Sequence, residues 1–167
     1  EDSTAVDFIN YIKTKKPTFG FVHFDHVDHA GHHDGHGTPP YYAAVAKADS
    51  LIGAVLKGIK EAGIDKNTLV IITADHGGKG KGHGGPTPEE AEIAMILYGK
   101  DIKKGYTIQQ QVYTYDLAAT IAFAFNITPP YAWIGRPIKP AFEGFEEPAN
   151  LWEGKEVVNK DGDRGVK

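Results

Sequence analysis

The spacing of apolar positions along the chain predicts three helices. Residues 2–14 place apolar side chains at helical intervals, with Ser3 or Thr4 available to cap the start. Residues 41–62 form the most regular amphipathic pattern, with lysines on the polar side and Gly63 as the stop. Residues 114–125 are apolar enough to predict a buried helix.

Three shorter runs have the composition of β-strands: residues 19–24, 69–74 and 93–98. The run at 69–74 is continuously apolar, which is typical of strands buried on both faces of a parallel sheet. Strand 19–24, the helix at 41–62 and strand 69–74 would then form a βαβ unit with a right-handed crossover. The predicted fold class is α/β, a mostly parallel sheet with flanking helices.

Domain organisation follows from the change in composition near residue 140. We expect residues 1–139 to belong to one α/β domain and residues 140–167 to form a polar tail, either extended or a hairpin, with disordered last residues. The chain starts with Glu rather than Met, from which we expect a processed or excised piece of a longer protein.

Composition and charge exclude several classes of function. The 167-residue chain has a net charge of −4 and no basic stripe, so we do not expect it to bind a nucleic-acid duplex. No apolar run approaches the ~20 residues that span a bilayer. The chain has no cysteine, which rules out thiolate metal sites and disulfides.

The richest candidate chemistry is a segment dense in Asp and His. Six of the eight histidines lie between His23 and His36, in what the sequence predicts to be a loop after strand 19–24. Neutral imidazole and carboxylate are ligands that divalent metals favour. The segment therefore indicates either a metal site at the rim of the sheet or a solvated His-rich loop.

Spacing within this segment leaves two ligand pairs open. Asp28 and His32 are four residues apart, which on one helical turn places both on a single face, but Asp25 and His29 share that spacing. Two further pieces follow a predicted strand: Asp75-His76, and His83 within a glycine-rich loop. In open α/β sheets, sites form beyond the carboxyl ends of strands, where these residues lie.

These motifs together resemble the alkaline phosphatase superfamily, and most closely its type I phosphodiesterase and nucleotide pyrophosphatase branch. The matching segments are residues 28–32, where Gly31 precedes His32, then Thr73–Gly78 and Gly82–Gly85. The resemblance extends over residues 18–138, including 48–53, 115–121 and 135–137. It implies an incomplete alkaline-phosphatase-like core, with this chain as the C-terminal part of the domain.

The resemblance implies a site for two divalent ions, zinc or alternatively manganese. Asp28, His32 and His83 would bind one ion, and Asp75 and His76 would supply two of three ligands for the other. The family's further Asp ligand and its Thr or Ser nucleophile have no counterpart before Thr18, so no catalytic nucleophile is expected in this chain and we expect it to be inactive alone. Ser3 and Thr4 are interpreted as helix-cap residues.

The function implied for the parent protein is hydrolysis of small-molecule phosphate esters, as a phosphomonoesterase or a phosphodiesterase/nucleotide pyrophosphatase. A sulfatase or a cofactor-independent phosphoglycerate mutase is the alternative within the superfamily. A non-catalytic metal-binding module is the alternative outside it, and a proteolytic remnant is a third. Export is expected because family members are often exported, and nothing indicates an oligomeric state.

Neighbouring polar residues are interpreted as supporting groups. His23 is predicted to pack on a sheet face, and Asp49 to be a surface or supporting carboxylate. We expect His26, His33 and His36 to be solvated or to support the ligands, and Lys79 and Lys81 to be solvated rather than to contact phosphate.

Overall fold

The computed structural model describes residues 1–146 and, beyond them, only the backbone of two two-residue strands. Within the described residues, no helix combines the length and the hydrophobicity that a bilayer span requires. The elements, in chain order, are helix α1 (Asp2–Lys15), helix α2 (His26–Asp34), helix α3 (Pro39–Glu61), strand β1 (Leu69–Thr73), helix α4 (Pro88–Ala91), strand β2 (Met95–Gly99), helix α5 (Thr114–Ala124), strand β3 (Val157–Val158) and strand β4 (Arg164–Gly165). Two 3₁₀ turns occur at Asp65–Asn67 and Lys139–Ala141.

The chain divides into two compact units, Glu1–Ile102 and Lys103–Lys167. The predicted boundary between a domain at 1–139 and a tail at 140–167 stays a prediction, because most of that tail lies outside the described residues. Its first residues, Pro140, Ala141 and Phe142, are buried in the second unit. Strands β3 and β4 pair antiparallel.

Helix α1 packs against helix α3 and builds the core of the first unit, confirming both predicted helices. Ile12 of α1 is buried with Val55, Ile59 and Ala62. The helices approach closely because Gly58 has no side chain: a Cβ there would lie 2.9 Å from Cγ2 of Ile9. This packing fixes the C-terminal part of α3 against α1.

The sheet differs from the predicted one. Strand β1 pairs with β2 in antiparallel register, Leu69 opposite Gly99 and Thr73 opposite Met95, so the described sheet of the first unit is a two-stranded antiparallel pair. The prediction of a parallel sheet is not supported by the described residues. An apolar run indicates a strand, but it fixes neither the neighbour nor its direction, which depend on contacts distant in sequence.

The strand predicted at residues 19–24 is wrong in the described structure, and with it the βαβ unit that began there. These residues form no strand, and the side chains of Phe19 and Phe21 are 57% and 74% exposed. A β-strand is stabilised by hydrogen bonds to a neighbouring strand, and none of the described strands takes residues 19–24 into its sheet. His23 is accordingly exposed rather than packed on a sheet face.

Helix α5 is held in the second unit by a buried carboxylate. Asp116 accepts hydrogen bonds from the backbone N–H groups of Tyr113 at 2.8 Å and Arg136 at 2.7 Å, and its side chain is nearly inaccessible. Thr120, fully buried, accepts a hydrogen bond from the Ile138 N–H. The helix start and the turn at 135–138 are therefore joined through side chains of one helix face.

Replacing Asp116 by Ala should destabilise the second unit by about 2 kcal/mol, because two backbone donors lose their acceptor and each costs about 1–3 kcal/mol when buried. Urea unfolding followed by circular dichroism measures the change. Asp49→Ala is the control, since Asp49 is exposed on α3. Equal stability of the two variants would show that water replaces the carboxylate without cost.

Candidate metal centre

Helix α2 forms where the sequence predicted a loop. Because the segment His26–Asp34 is helical, Asp28 and His32 lie one turn apart on the same face. Nε2 of His32 is 3.5 Å from Oδ1 of Asp28. The helix therefore places Asp28 and His32 close enough to bind one ion, as their four-residue spacing predicted.

The other histidines reach this face from the segment that follows β1. The chain leaves β1 at Thr73, passes Asp75 and His76, and makes a tight turn in which Lys79 and Gly82 exchange backbone hydrogen bonds of 2.9 and 3.1 Å. His83 follows that turn directly. A short turn thus returns the chain so that His76 and His83 stack with ring centroids 3.7 Å apart.

The backbone around α4 anchors this turn. The N–H of Gly77 donates to the Glu90 carbonyl at 2.9 Å, and the N–H of Gly78 donates to the Glu89 carbonyl at 2.7 Å. The Glu90 side chain accepts hydrogen bonds from the Thr87 hydroxyl and the Gly85 N–H, which lower the pKa of this carboxyl below its ordinary value. The ionised carboxylate therefore helps to fix the end of the loop.

One carboxylate oxygen lies at the centre of three imidazoles. Oδ1 of Asp28 is 3.5 Å from Nε2 of His32, 3.7 Å from that of His83 and 4.0 Å from that of His76. Ligand atoms of Asp28, His32 and His83 all lie within 4.8 Å of one another. Ligands on a tetrahedral zinc, bound at about 2.0–2.1 Å, are about 3.3 Å apart, so a small contraction would close this cluster around one ion.

Hydrogen bonds fix which nitrogen of two of these rings is available. Nδ1 of His32 lies 2.9 Å from the Lys81 carbonyl oxygen, and Nδ1 of His76 lies 2.8 Å from that of Gly77. A carbonyl oxygen only accepts, so Nδ1 carries the proton in each neutral ring. Nε2 then presents a lone pair towards Asp28, the arrangement that metal-bound histidines adopt.

The donor set fits a divalent cation. Oδ1 of Asp28 is buried and has no hydrogen-bond partner, while the Nε2 lone pairs of neutral His32 and His76 face it. Acceptors that face one another without a proton or cation between them repel, and a buried carboxylate oxygen without a partner is costly. A metal ion at this point would satisfy all of these atoms.

Asp75 lies at the edge of the cluster. Its Oδ2 is 3.7 Å from Nε2 of His76, and its side chain is 69% exposed. The structure thus brings the five predicted residues, Asp28, His32, Asp75, His76 and His83, to one place. Their roles as ligands, and their division between two ions, stay predictions.

For His36, sequence reasoning left a solvated and a supporting role open, and the structure shows its contacts. Its backbone N–H and its Nδ1–H both donate to the Gly80 carbonyl, at 2.7 and 3.0 Å. Its ring lies between Gly31 and Gly78: a Cβ on either glycine would lie 2.5 or 2.0 Å from Nε2 of His36. His36 therefore ties α2 to the loop that carries His76 and His83, and the two glycines were the sequence signal for a ring inserted there.

The remaining polar residues near the cluster have other partners. Nε2 of His26 bonds the Ala44 carbonyl, and His33 bonds Asp34. Asp49 is exposed. The Lys81 ammonium donates to the His33 carbonyl at 2.8 Å, and that of Lys79 lies 3.7 Å from Glu89, so both lysines are engaged within the protein.

The comparisons with known proteins agree with the motifs. Residues 1–80 match the family described as type I phosphodiesterase / nucleotide pyrophosphatase, which confirms the predicted resemblance. The human GPI ethanolamine phosphate transferase 3 catalytic subunit is 30% identical over 130 residues, or 75% of this chain and 12% of that protein. The mouse ectonucleotide pyrophosphatase/phosphodiesterase family member 1 is 32% identical over 73 residues, covering 44% of this chain and 8% of that protein. The chain thus spans a small part of the length of these relatives.

Among solved structures, a putative sulfatase from Bacteroides fragilis superposes with a TM-score of 0.63 at 21% identity, over 87% of this chain and 41% of that one. A putative sulfatase from Bacteroides thetaiotaomicron superposes with a TM-score of 0.55 at 25% identity, over 74% of this chain and 29% of that one. The first likeness shows the fold alone. The chain therefore shares its fold with part of a sulfatase-like protein.

Proposed function

We propose, on the premise that residues 1–80 resemble the type I phosphodiesterase / nucleotide pyrophosphatase family, that this chain supplies the metal-binding part of an enzyme acting on phosphate esters. Names of relatives support a hydrolase or a transferase of phosphate groups. The observation that carries the proposal is the buried oxygen of Asp28 with three imidazole nitrogens around it. Zinc is the cation we favour, since imidazole and carboxylate suit it.

The described residues would hold the metal cations and orient the histidine rings that bind them. Asp28, His32 and His83 would hold one cation, and Asp75 and His76 would contribute to a second. When bound, such cations supply positive charge that stabilises the phosphoryl oxygens and polarises an attacking hydroxyl. The Lys81 and Gly77 carbonyls keep the Nδ1 protons in place, so Nε2 stays available.

Further parts of this proposal concern the parent protein. We propose that its Thr or Ser nucleophile and its remaining metal ligands lie outside this chain. A small-molecule phosphate ester is the proposed partner, and an extracytoplasmic location stays a prediction. The competing proposal is a metal-binding module without catalysis. It differs because it predicts that the parent protein, like this chain alone, has no activity.

The purified chain should bind zinc but should not hydrolyse nitrophenyl phosphate or bis-nitrophenyl phosphate, because it supplies the metal ligands without the attacking group. Calorimetry measures binding, and release of nitrophenol measures turnover. His32→Ala should weaken binding, whereas His23→Ala, which changes an exposed histidine, should not. Turnover that His32→Ala abolishes would show that the nucleophile lies in this chain, and equal zinc affinity of both variants would contradict the proposed site.

A further inference from the structure

Helix α2 carries a second pair of histidines that the candidate metal centre does not use. His29 and His33 are four residues apart and so share a face, about 100° around the helix from Asp28 and His32. Both are exposed, His33 with 75% of its side chain accessible. Their rings lie nearly parallel, with centroids 6.4 Å apart and planes 15° apart.

A neighbouring carboxylate sets the tautomer of His33. Its Nδ1 lies 2.9 Å from Oδ1 of Asp34, and an ionised carboxylate only accepts hydrogen bonds. The proton of the neutral ring is therefore on Nδ1, and Nε2 keeps its lone pair. A carboxylate behind an imidazole in this way orients the ring and makes its free nitrogen a better ligand.

We propose that His29 and His33 form a separate site on the outer face of α2 for a borderline divalent cation such as Ni²⁺, Cu²⁺ or Zn²⁺. Two imidazole nitrogens bound to one ion at about 2.0–2.1 Å lie at most about 4 Å apart. Rings one helical turn apart reach this separation by rotation about their own side-chain bonds, as in metal-binding helices with His at i and i+4. Exposure leaves space around both rings for this adjustment, and water would complete the coordination.

The inference is independent of the proposed function, because it uses neither Asp28 nor the loop histidines. Ni²⁺ is a suitable probe because imidazole nitrogen binds it well, and two double variants separate the outer pair from the candidate metal centre. The variant His29→Gln/His33→Gln removes the outer pair while keeping residues compatible with a helix. The variant His32→Gln/His83→Gln removes two donors of the candidate metal centre.

Calorimetric titration of the whole chain with Ni²⁺ should show one bound ion fewer for His29→Gln/His33→Gln than for the unchanged chain. His32→Gln/His83→Gln should keep that ion, and His23→Gln, which changes an exposed single histidine, should change nothing. Asp34→Asn should keep the stoichiometry but lower the affinity of the outer site about 10-fold, as loss of a supporting carboxylate does. Circular dichroism confirms that each variant keeps its helices.

Unchanged Ni²⁺ stoichiometry in His29→Gln/His33→Gln would overturn the inference. So would loss of the same ion in His32→Gln/His83→Gln, because the ion would then belong to the candidate metal centre. Retention on an immobilised-nickel resin gives an independent reading: the outer-pair variant should elute earlier than the His23→Gln control. Equal elution of the two would also count against the site.

Discussion

Asp28→Asn should lower the affinity of the candidate metal centre for zinc by at least about 100-fold while leaving the metal-free protein as stable as before, or more so. The loss of affinity is expected because groups that merely support ligands are already worth about 10–100-fold, and Asp28 lies at the centre of the cluster. The stability is expected to hold because Oδ1 of Asp28 is buried without a hydrogen-bond partner. An amide carries no charge and can turn its Nδ2–H group towards the facing imidazole nitrogens, which relieves at most about 1–3 kcal/mol, since the Asp28 side chain is 43% exposed.

Two measurements separate these effects. Competition with a chelator gives the zinc affinity, and thermal unfolding in the presence of EDTA gives the stability without metal. Asp49→Asn makes the same chemical change at an exposed carboxylate on α3 and should alter neither. If Asp28→Asn destabilised the metal-free protein, the carboxylate would be bonded within the fold, and the argument for a cation at its centre would fail.

Periodicity predicted the elements whose own residues determine them. Helices α1, α3 and α5 begin and end within about two residues of the predicted ranges, because α1 and α3 have an apolar face at helical spacing and α5 is apolar along most of its length. Strands β1 and β2 likewise fall on the apolar runs at 69–74 and 93–98. These signals lie within a single segment, which is why local reasoning was sufficient.

Helix α2 was not predicted from the residues that form it. Its sequence, rich in His, Asp and Gly, has low helix propensity and no apolar face. Besides the bond from His26 to the Ala44 carbonyl, its contacts include residues more than forty positions away: the Lys81 carbonyl accepts from His32, and the Gly80 carbonyl accepts from His36, just after the helix. A helix stabilised by distant loops cannot be recognised from its own residues, although the ligand spacing within it can.

Two predictions about the sheet were wrong for a related reason: its parallel direction and the strand at residues 19–24. A strand requires a partner, and no property of residues 19–24 states which segment supplies it. The convergence of Asp28, His76 and His83, by contrast, was predicted from two signals, their position after predicted strands and the resemblance of their motifs to a family, and only the first depended on the sheet. The site was therefore anticipated more closely than the sheet that was expected to support it.

Gly77→Ala should destabilise the first unit by about 3 kcal/mol, which is the upper end of the range for overpacking. It should also lower the zinc affinity at least about tenfold, which is the lower end of the range for disturbing groups that support metal ligands. A Cβ at Gly77 would lie 2.2 Å from the Glu89 carbonyl oxygen and 3.1 Å from that of Glu92. Both are backbone atoms, so no side-chain rotation relieves the contact. The loop must move away from α4, and His76, the adjacent residue, moves with it.

Gly82→Ala is the matched control in the same loop, because a Cβ there meets no atom within 4 Å and the backbone does not require glycine. Urea unfolding gives the stability of both variants and zinc calorimetry their affinity. We expect Gly82→Ala to resemble the unchanged chain in both. The contrary outcome is that Gly77→Ala loses stability but keeps its full zinc affinity. The position of His76 would then not depend on the hydrogen bonds that anchor the loop to α4, and the proposed link between this loop and the metal centre would be contradicted.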